Sequence, residues 1–351
     1  MNQSQAIRPS DRRLFLALAA AALFVVAALV WRLAGGGAAP TMAAPASAAS
    51  TSSTSTLAPT TTAETVARLR AQVQAAPDDA NVNAALGLAL LQQVRETADP
   101  ALYAQAEAAL DAALALNSDQ LDALVGQGTL ALARHDFATA LTWGERARAL
   151  NPYRADALGV LVDGHVELGQ YEEAVAAAQA MVNLRPNLAS YSRIAYLREL
   201  HGDTAGAIEA MIAAAQSGAP GSEATAWTLT QLGNLLFESG DTARAAIAYN
   251  DALNTVPGYA YAQAGQARLQ AAAGDTAGAI AVYKSVVDRL PVPEFVIALG
   301  RLYEATGQTD KANEQYDLVR VMQQLNASTG MNVDLEMALF ETDHGDPAAA
   351  L

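Results

Sequence analysis

The chain has 351 residues, of which 52% are hydrophobic, and its formal net charge is −15. So acidic a body repels phosphate backbones, and the composition therefore argues against nucleic-acid binding. Because the sequence contains no cysteine, disulfides, thiolate nucleophiles and cysteine-ligated zinc are excluded.

The N-terminal segment has the pattern of a membrane anchor. An unbroken apolar run over residues 14–31 is just long enough to cross a bilayer. Three arginines precede this run and one follows it, which predicts that the N-terminus stays in the cytoplasm. We therefore predict a cytoplasmic tail over residues 1–13 and a transmembrane signal anchor over 14–34, with the rest of the chain extracytoplasmic. Cleavage of the anchor, which would give a secreted protein, is the alternative.

A low-complexity segment follows the anchor. Residues 35–63 consist mostly of Gly, Ala, Pro, Ser and Thr and carry no charge. Such a composition buries too little apolar surface to order itself, so the pattern predicts a disordered linker. From Glu64 onward the sequence changes to an alanine-rich helical periodicity without a clear alternating strand. The body over residues 64–351 is therefore predicted to be all-α.

Turn residues recur in this body at a nearly constant interval. The spacing is 33 or 34 residues between the members of three series: Pro152 and Pro186; Pro257 and Pro291; Gly240, Gly274 and Gly307. Self-similarity at one fixed period is typical of a repeat architecture, in which each unit buries its apolar face against its neighbours.

One motif, Gly-Asp-Thr-Ala-Gly-Ala-Ile, occurs twice, at residues 202–208 and 274–280. A glycine-rich run before a helix is compatible with phosphate binding, but a P-loop needs a preceding strand and a Gly-Lys-Ser/Thr ending, which are absent. The motif instead favours a structural joint. Its first glycine ends one helix in the left-handed conformation, and Asp203 or Asp275 caps the next helix.

The segment from Gln231 to Pro257, QLGNLLFESGDTARAAIAYNDALNTVP, resembles a tetratricopeptide repeat. The matching positions are Leu232, Gly233, Gly240, Ala245, Tyr249, Ala252 and Pro257. This resemblance implies a right-handed superhelical solenoid of antiparallel helix pairs, with seven units between about residues 76 and 320. An incomplete unit follows, with Leu339 in a first helix, and it predicts that the chain continues past Leu351 or that a partner completes it. Residues 64–75 are expected to cap the first unit.

No pattern for catalysis or for a cofactor stands out. The segment Gly126 to Ala131 imitates a dinucleotide-binding fingerprint, but it falls within a predicted helix with no strand before it. The four histidines have no second ligand at helical spacing: His135, His165, His201 and His344. We therefore expect no enzymatic activity, no cofactor and no metal site.

The resemblance also implies that the first helix of each unit lines a concave groove. The groove candidates are Asp156, Asp163, Glu167, Tyr196, Glu199, Trp227, Asn234, Phe237, Glu238, Tyr261, Arg268 and Arg301, together with Ser192, Thr230, Glu294 and Glu304. An acidic face with aromatic patches favours a protein or peptide partner that carries Arg or Lys beside apolar anchors. In the alternative interpretation the acids only solubilise the protein, and Trp227 and Phe237 fill the junction beside the insertion at residues 218–222.

The sequence as a whole predicts a non-enzymatic scaffold, tethered to the membrane through residues 14–31. Its resemblance is to bacterial envelope proteins that act as assembly or chaperone-like factors. Two alternatives remain open: the regulatory part of a longer enzyme that continues past Leu351, and a self-associating structural spacer.

Overall fold

The structure, a computed structural model, describes residues 61–328 and 334–344. The predicted tail and anchor, and the predicted linker up to residue 60, lie outside these residues. Among the helices of the described residues, none is both long and apolar enough to cross a membrane.

The described residues form sixteen α-helices and no strand. In chain order they are α1 (Thr62–Ala75), α2 (Ala80–Thr97), α3 (Ala101–Leu116), α4 (Leu121–Ala133), α5 (Phe137–Leu150), α6 (Ala155–Glu167), α7 (Tyr171–Leu184), α8 (Leu188–Leu200), α9 (Thr204–Gln216), α10 (Glu223–Glu238), α11 (Thr242–Thr255), α12 (Ala260–Ala272), α13 (Thr276–Val287), α14 (Pro293–Ala305), α15 (Thr309–Ser328) and α16 (Asp334–His344).

Consecutive helices pack together in pairs, from α2 with α3 to α14 with α15. Seven such pairs follow one another in the described residues, and we number them from one to seven. The short connections make the two helices of a pair antiparallel. Ahead of them, α1 covers the first pair with Val66 and Leu69, which are 1% and 5% exposed. This agrees with the expected capping role of that segment.

The repeated glycine motif forms the predicted joints. Gly202 and Gly274 have φ values of 79° and 90°, a left-handed conformation that glycine adopts without a steric penalty. The next residue caps the following helix, because Asp203 and Asp275 each accept a hydrogen bond from the backbone N–H three residues later, at 2.9 Å. Both copies of the motif therefore form helix-to-helix joints.

The first helices of the pairs lie on the inner side of the array. From α2 to α12 the first helix of each pair contacts the first helix of the next, whereas the second helices of neighbouring pairs have no comparable contact. Close spacing on one side and wide spacing on the other curves the stack toward the first helices. These helices therefore form the concave face.

Glycines allow the close approach of pairs five and six around one ring. Tyr249 is fully buried, and its Cε1 atom would lie only 2.4 Å from a Cβ atom at either Gly233 or Gly265. The recurring glycine of the first helix thus makes space for an aromatic side chain of the second helix. Its hydroxyl reaches the concave face, where it enters the site described below.

The helix α16 packs on the seventh pair. Phe340 is 2% exposed, and its ring centroid lies 5.7 Å from that of Tyr316. Arg301 donates a hydrogen bond to Asp343 at 3.0 Å. Leu339 is helical, as the incomplete eighth unit predicts. The turn and second helix expected after it lie outside the described residues.

Candidate functional site

One position of the concave face recurs through pairs three to seven, six residues before the turn glycine of each pair. Its occupants are Asp163, Tyr196, Asn234, Arg268 and Arg301. Their environments differ greatly. Asp163 is paired with an arginine inside the core, Tyr196 is buried, Asn234 and Arg268 share a polar network, and Arg301 binds the C-terminal helix.

Asp163 was expected to face a partner, and this prediction is wrong. The residue is only 3% exposed, and its carboxylate accepts hydrogen bonds from Nε and Nη2 of Arg193 at 2.8 and 2.6 Å. Gly159 leaves room for the guanidinium, because a Cβ atom there would lie 3.2 Å from its carbon. Burial raises the pKa of Asp163 to about 6, against the lowering effects of the Arg193 charge and hydrogen bonds, so the carboxylate is mostly ionised at pH 7 and paired with Arg193 inside the core.

Three further candidates make contacts within the protein. Asp156 forms an ion pair of 2.5 Å with Arg154, which also binds Asp122 of the second pair at 2.8 Å. Ser192 and Thr230 are 0% and 2% exposed, and each hydroxyl donates a hydrogen bond to a carbonyl of its own helix. The resemblance places these residues on inner helices, but packing turns them away from the open groove.

A polar network joins pairs five and six on the concave face. The Oδ1 atom of Asn234 accepts hydrogen bonds from the Tyr249 hydroxyl at 2.8 Å and from Nη2 of Arg268 at 2.5 Å. Arg268 also donates to the Tyr249 hydroxyl at 2.9 Å, and its guanidinium lies over the Phe237 ring, 4.6 Å from the centroid. The arginine is thus held by a side-chain amide, a phenol and an aromatic face.

Arg268 approaches a carboxylate but does not neutralise it at hydrogen-bond distance. Its Nη1 atom lies 3.6 Å from Oε1 of Glu238, whose side chain is 20% exposed. The Nε atom of Arg268 is buried without a hydrogen-bond partner. The cation is therefore oriented by Asn234 and Tyr249 rather than by the acid beside it.

Two carboxyl groups of neighbouring pairs oppose each other beside this network. Burial and, to a smaller extent, the nearby charge of Glu238 together raise the pKa of Glu199 to about 7. Burial also raises the pKa of Glu238 to about 7, against the lowering effect of Arg268. Both carboxylates are therefore costly to ionise in the free protein.

Tyr196 and Glu167 extend the acidic surface toward the third pair. Tyr196 is 4% exposed, and burial is the main cause of its raised pKa, to which the charges of Glu167 and Glu199 add. Glu167 is half-buried. The acidic part of the groove therefore runs from Glu167 through Glu199 to Glu238. We call these three residues the acidic ladder.

The aromatic candidates of pairs five and six lie under another part of the chain. Trp227 is 2% exposed, and Tyr261 packs against Tyr259 and Phe295 with ring centroids 5.5 and 5.1 Å apart. Trp227 and Tyr261 also line a cavity of about 210 Å³ whose opposite wall comes from the first pair. Trp227 is therefore closed to solvent, contrary to the groove interpretation, whereas Tyr261 is half-buried.

The seventh pair contributes less open surface than the sequence predicts. Arg301 binds Asp343 of α16, and Glu304 accepts a hydrogen bond from the Tyr316 hydroxyl at 3.1 Å. Glu294 is half-buried. The C-terminal helix therefore occupies part of this end of the concave face.

Sequence reasoning missed two arginines. Arg193 neutralises Asp163, and Arg95 of the first pair forms a 2.7 Å ion pair with Glu223 of the fifth pair. The sequence does carry a signal near Arg95, because the first unit has a seven-residue expansion around Glu96 to Ala101, and extra residues at a connection reach beyond the repeat. For Arg193 a buried position between alanines and apolar residues gave no comparable signal.

In the described part of the chain no group of three or more His, Asp or Glu side chains is placed to hold a metal ion. Two of the four histidines lie at turns, where His201 binds the Leu197 carbonyl at 2.7 Å and His135 has a φ of 58°.

Comparison with known proteins identifies the repeats. The family described as tetratricopeptide repeat matches residues 101–155 and 230–292. The first range covers α3 to α5, and the second runs from within α10 to the end of α13. A search of curated proteins gave no match.

Solved structures share the fold at low sequence identity. The human IFIT1 dimer with m7Gppp-AAAA is 16% identical with a TM-score of 0.58, and the match covers 79% of this chain and 69% of that one. The APC/C hetero-tetramer Cut9-Hcn1 is 12% identical with a TM-score of 0.57, over 77% of this chain and 52% of that one. Our chain thus spans about half the length of the latter. The likeness establishes an all-helical solenoid of helix pairs, and two ranges of this chain match the tetratricopeptide repeat family.

Proposed function

We propose that the protein is a non-enzymatic scaffold whose concave groove binds a basic segment of a partner protein. The observation that carries this proposal is the pair of carboxyl groups at Glu199 and Glu238, each with a pKa raised to about 7. Solenoids of helix pairs present long concave surfaces for such recognition. The acidic ladder lies on that surface.

A lysine or arginine side chain of a partner protein would stabilise the ionised carboxylates of Glu199 and Glu238. An internal cation beside them, Arg268, stays 3.6 Å from Glu238 and is held mainly by Asn234 and Tyr249. A second cation between Glu199 and Glu238 would favour ionisation of both carboxyl groups and lower their pKa values. The partly buried Phe237 ring offers apolar contact next to that position.

A titration with matched variants tests this function. Fluorescent peptides with Arg or Lys beside Leu or Phe would be titrated into the full-length protein at pH 8 and moderate salt. We expect Glu199→Gln with Glu238→Gln to weaken binding about tenfold or more, because charge-assisted contacts in a partly buried site are lost. The control removes the same number of charges from the exposed outer helix α7, as Glu172→Gln with Glu173→Gln. Equal weakening by both pairs would reject the groove as the binding site.

We further propose that the scaffold is tethered by residues 14–31 and faces the extracytoplasmic side of a bacterial envelope, as an assembly or chaperone-like factor. The arginine asymmetry around the apolar run supports this orientation. A reporter that is active only after export, fused behind Leu351, would be active in cells under this proposal. Activity only from a cytoplasm-dependent reporter at the same position would refute it.

A further inference from the structure

The first helix pair reaches across the concave face to the fifth pair. Nη2 of Arg95 lies 2.7 Å from Oε2 of Glu223, although 128 residues separate them in the chain, and their side chains are only 8% and 16% exposed. The other oxygen of Glu223 accepts a hydrogen bond from the Tyr259 hydroxyl at 2.7 Å. Both carboxylate oxygens are thus engaged, one by a distant cation.

The segment that makes this contact is an addition to the repeat. We call residues 95–100 the plug. It ends α2 with Ala98 in a left-handed conformation, at φ 52°, which a residue with a Cβ atom rarely adopts. Ala98 also packs against the apolar core of the last pairs. Because these residues lengthen the first unit beyond the regular repeat, the packing of α2 against α3 does not require them.

The surface under the plug is acidic and aromatic. We call Glu223, Trp227, Tyr259 and Tyr261 the docking face. The charge of Arg95 acts on both tyrosines, since it lowers pKa values that burial raises well above normal. Guanidinium groups bind well where a carboxylate lies among aromatic rings.

The plug fills this face incompletely. A partly open cavity of about 210 Å³ remains beside the plug, and its lining includes Arg95 and Pro100 of the plug, Trp227 and Tyr261 of the docking face, Tyr103 of the first pair and Met322 of the seventh pair. A bulkier segment with the same chemistry would contact more of the docking face than the plug does.

We propose that the docking face binds an arginine of a partner segment flanked by small apolar residues and proline, and that the plug occupies this place in the free protein. This proposal rests on the groove-binding function above but uses a different set of residues. A partner has to displace an occupant tethered to the same chain, which lowers its apparent affinity. Opening the plug therefore increases affinity.

Spin labels would measure the position of the plug in the full-length protein. The chain has no native cysteine, so Thr97→Cys and Asp288→Cys, both at exposed positions, give two specific attachment sites. We expect one short distance in the otherwise unchanged protein and a longer, broader distribution after Arg95→Ala. The control is Arg134→Ala, which breaks the Glu107 ion pair between the first and second pairs and should leave the distance unchanged.

The probe for binding is a synthetic peptide with the sequence of residues 92–102, compared with a version in which its arginine is glutamate. We expect the arginine peptide to bind the Arg95→Ala protein about tenfold more tightly than the unchanged protein, and Glu223→Gln to abolish this binding. Circular dichroism checks that each variant is folded, and exchanging the charges, as Arg95→Glu with Glu223→Arg, should restore the short distance.

A closed plug in the Arg95→Ala protein would overturn the proposal, as would peptide binding that does not depend on Glu223. Binding of basic peptides to the acidic ladder is scored separately with Glu199→Gln and Glu238→Gln. Basic peptides that bind the Glu199→Gln, Glu238→Gln protein as tightly as the unchanged protein would reject the proposed function, whereas failure at Glu223 alone rejects only the docking face.

Discussion

Two acidic sites in neighbouring helix pairs differ in how closely an arginine pairs with the carboxylate. Asp163 receives two hydrogen bonds from Arg193, at 2.6 and 2.8 Å, in a fully buried pair. Glu238 has Arg268 at 3.6 Å and shares its surroundings with a second carboxyl group, Glu199. Asp163 is thus matched, in the sense that an arginine of the same chain binds it directly, whereas Glu238 and Glu199 are unmatched, because no arginine of the described residues binds them so closely.

This difference separates an acid that holds the fold from acids that await a cation. A buried ion pair with good geometry is destabilising to break, but it offers nothing to a partner. Carboxyl groups with a pKa near 7 cost the free protein stability at neutral pH, and an external cation relieves that cost. The contrast predicts opposite effects when each acid is neutralised.

Removal of the matched acid should have the largest effect. We expect Asp163→Ala to lower the free energy of unfolding by about 3–5 kcal/mol, because Arg193 is left charged and buried without a partner. Urea unfolding, monitored by circular dichroism, measures this change in the free energy of unfolding. The exposed Glu145–Arg148 pair gives the control, since Glu145→Ala should cost less than about 1 kcal/mol.

If Asp163→Ala lowers the free energy of unfolding no more than Glu145→Ala does, the buried ion pair does not stabilise the fold as described. A second variant removes both charges, as Asp163→Leu with Arg193→Met. It should recover most of the lost stability, because two apolar side chains need no neutralisation.

Changes at Gly233 and Tyr249, which pack next to the site of Glu199 and Glu238, should have the next largest effect on stability. In Gly233→Ala the new Cβ atom meets the Tyr249 ring, so we expect a loss of about 1–3 kcal/mol in the free energy of unfolding. Tyr249→Phe keeps the ring but removes the hydrogen bonds to Asn234 and Arg268, and should cost about 1 kcal/mol. If Gly233→Ala were neutral in thermal unfolding, the close approach of pairs five and six would be wrong.

Neutralising the unmatched acid should stabilise the free protein. The pKa of Glu199 is about 7 in the folded state and 4.5 by ordinary reference, so the folded state binds more protons between these values. Its contribution to stability therefore falls as the pH rises from 4.5 to 7. We expect Glu199→Gln to raise the free energy of unfolding at pH 8 by about 1 kcal/mol, after allowance for solvent screening.

The same variant should give almost no gain at pH 4.5, where the native carboxyl group is protonated in the folded state. Unfolding curves at the two pH values check this difference. If Glu199→Gln instead lowers the free energy of unfolding at pH 8, the Glu199 carboxylate stabilises the fold, as the Asp163 carboxylate does.

The smallest effect is expected at a joint far from both sites. Gly274 has a φ of 90° and open space around its Cα atom, so Gly274→Ala should cost about 1 kcal/mol through backbone strain alone. Gly274→Asn should cost less, since asparagine tolerates the left-handed conformation better. Equal thermal unfolding temperatures for all three proteins would contradict the assigned turn.

Local features of this fold were predictable from the sequence. The Gly-Asp joints at Gly202 and Gly274 follow from short-range chemistry, because a left-handed glycine and a capping aspartate act within one turn. The glycine at position 233 was likewise recognised from its register. Each of these features depends on residues within one repeat or its neighbour.

Pairings between repeats were not predictable in the same way. Asp163 and Arg193 lie 30 residues apart on adjacent first helices, and the pairing depends on which faces those helices turn inward. The contact between Arg95 and Glu223 depends on the curvature accumulated over four steps of the stack. A period indicates that helices stack, but it does not fix the radius of the superhelix.

The pH dependence of peptide binding tests the central claim most directly. The affinity of an arginine-containing peptide for the full-length protein would be measured from pH 6 to pH 8, beside the variant with Glu199→Gln and Glu238→Gln. We predict that affinity falls about tenfold as the pH drops through 7, and that the variant binds weakly with no such dependence. An identical pH profile in both proteins would contradict the account.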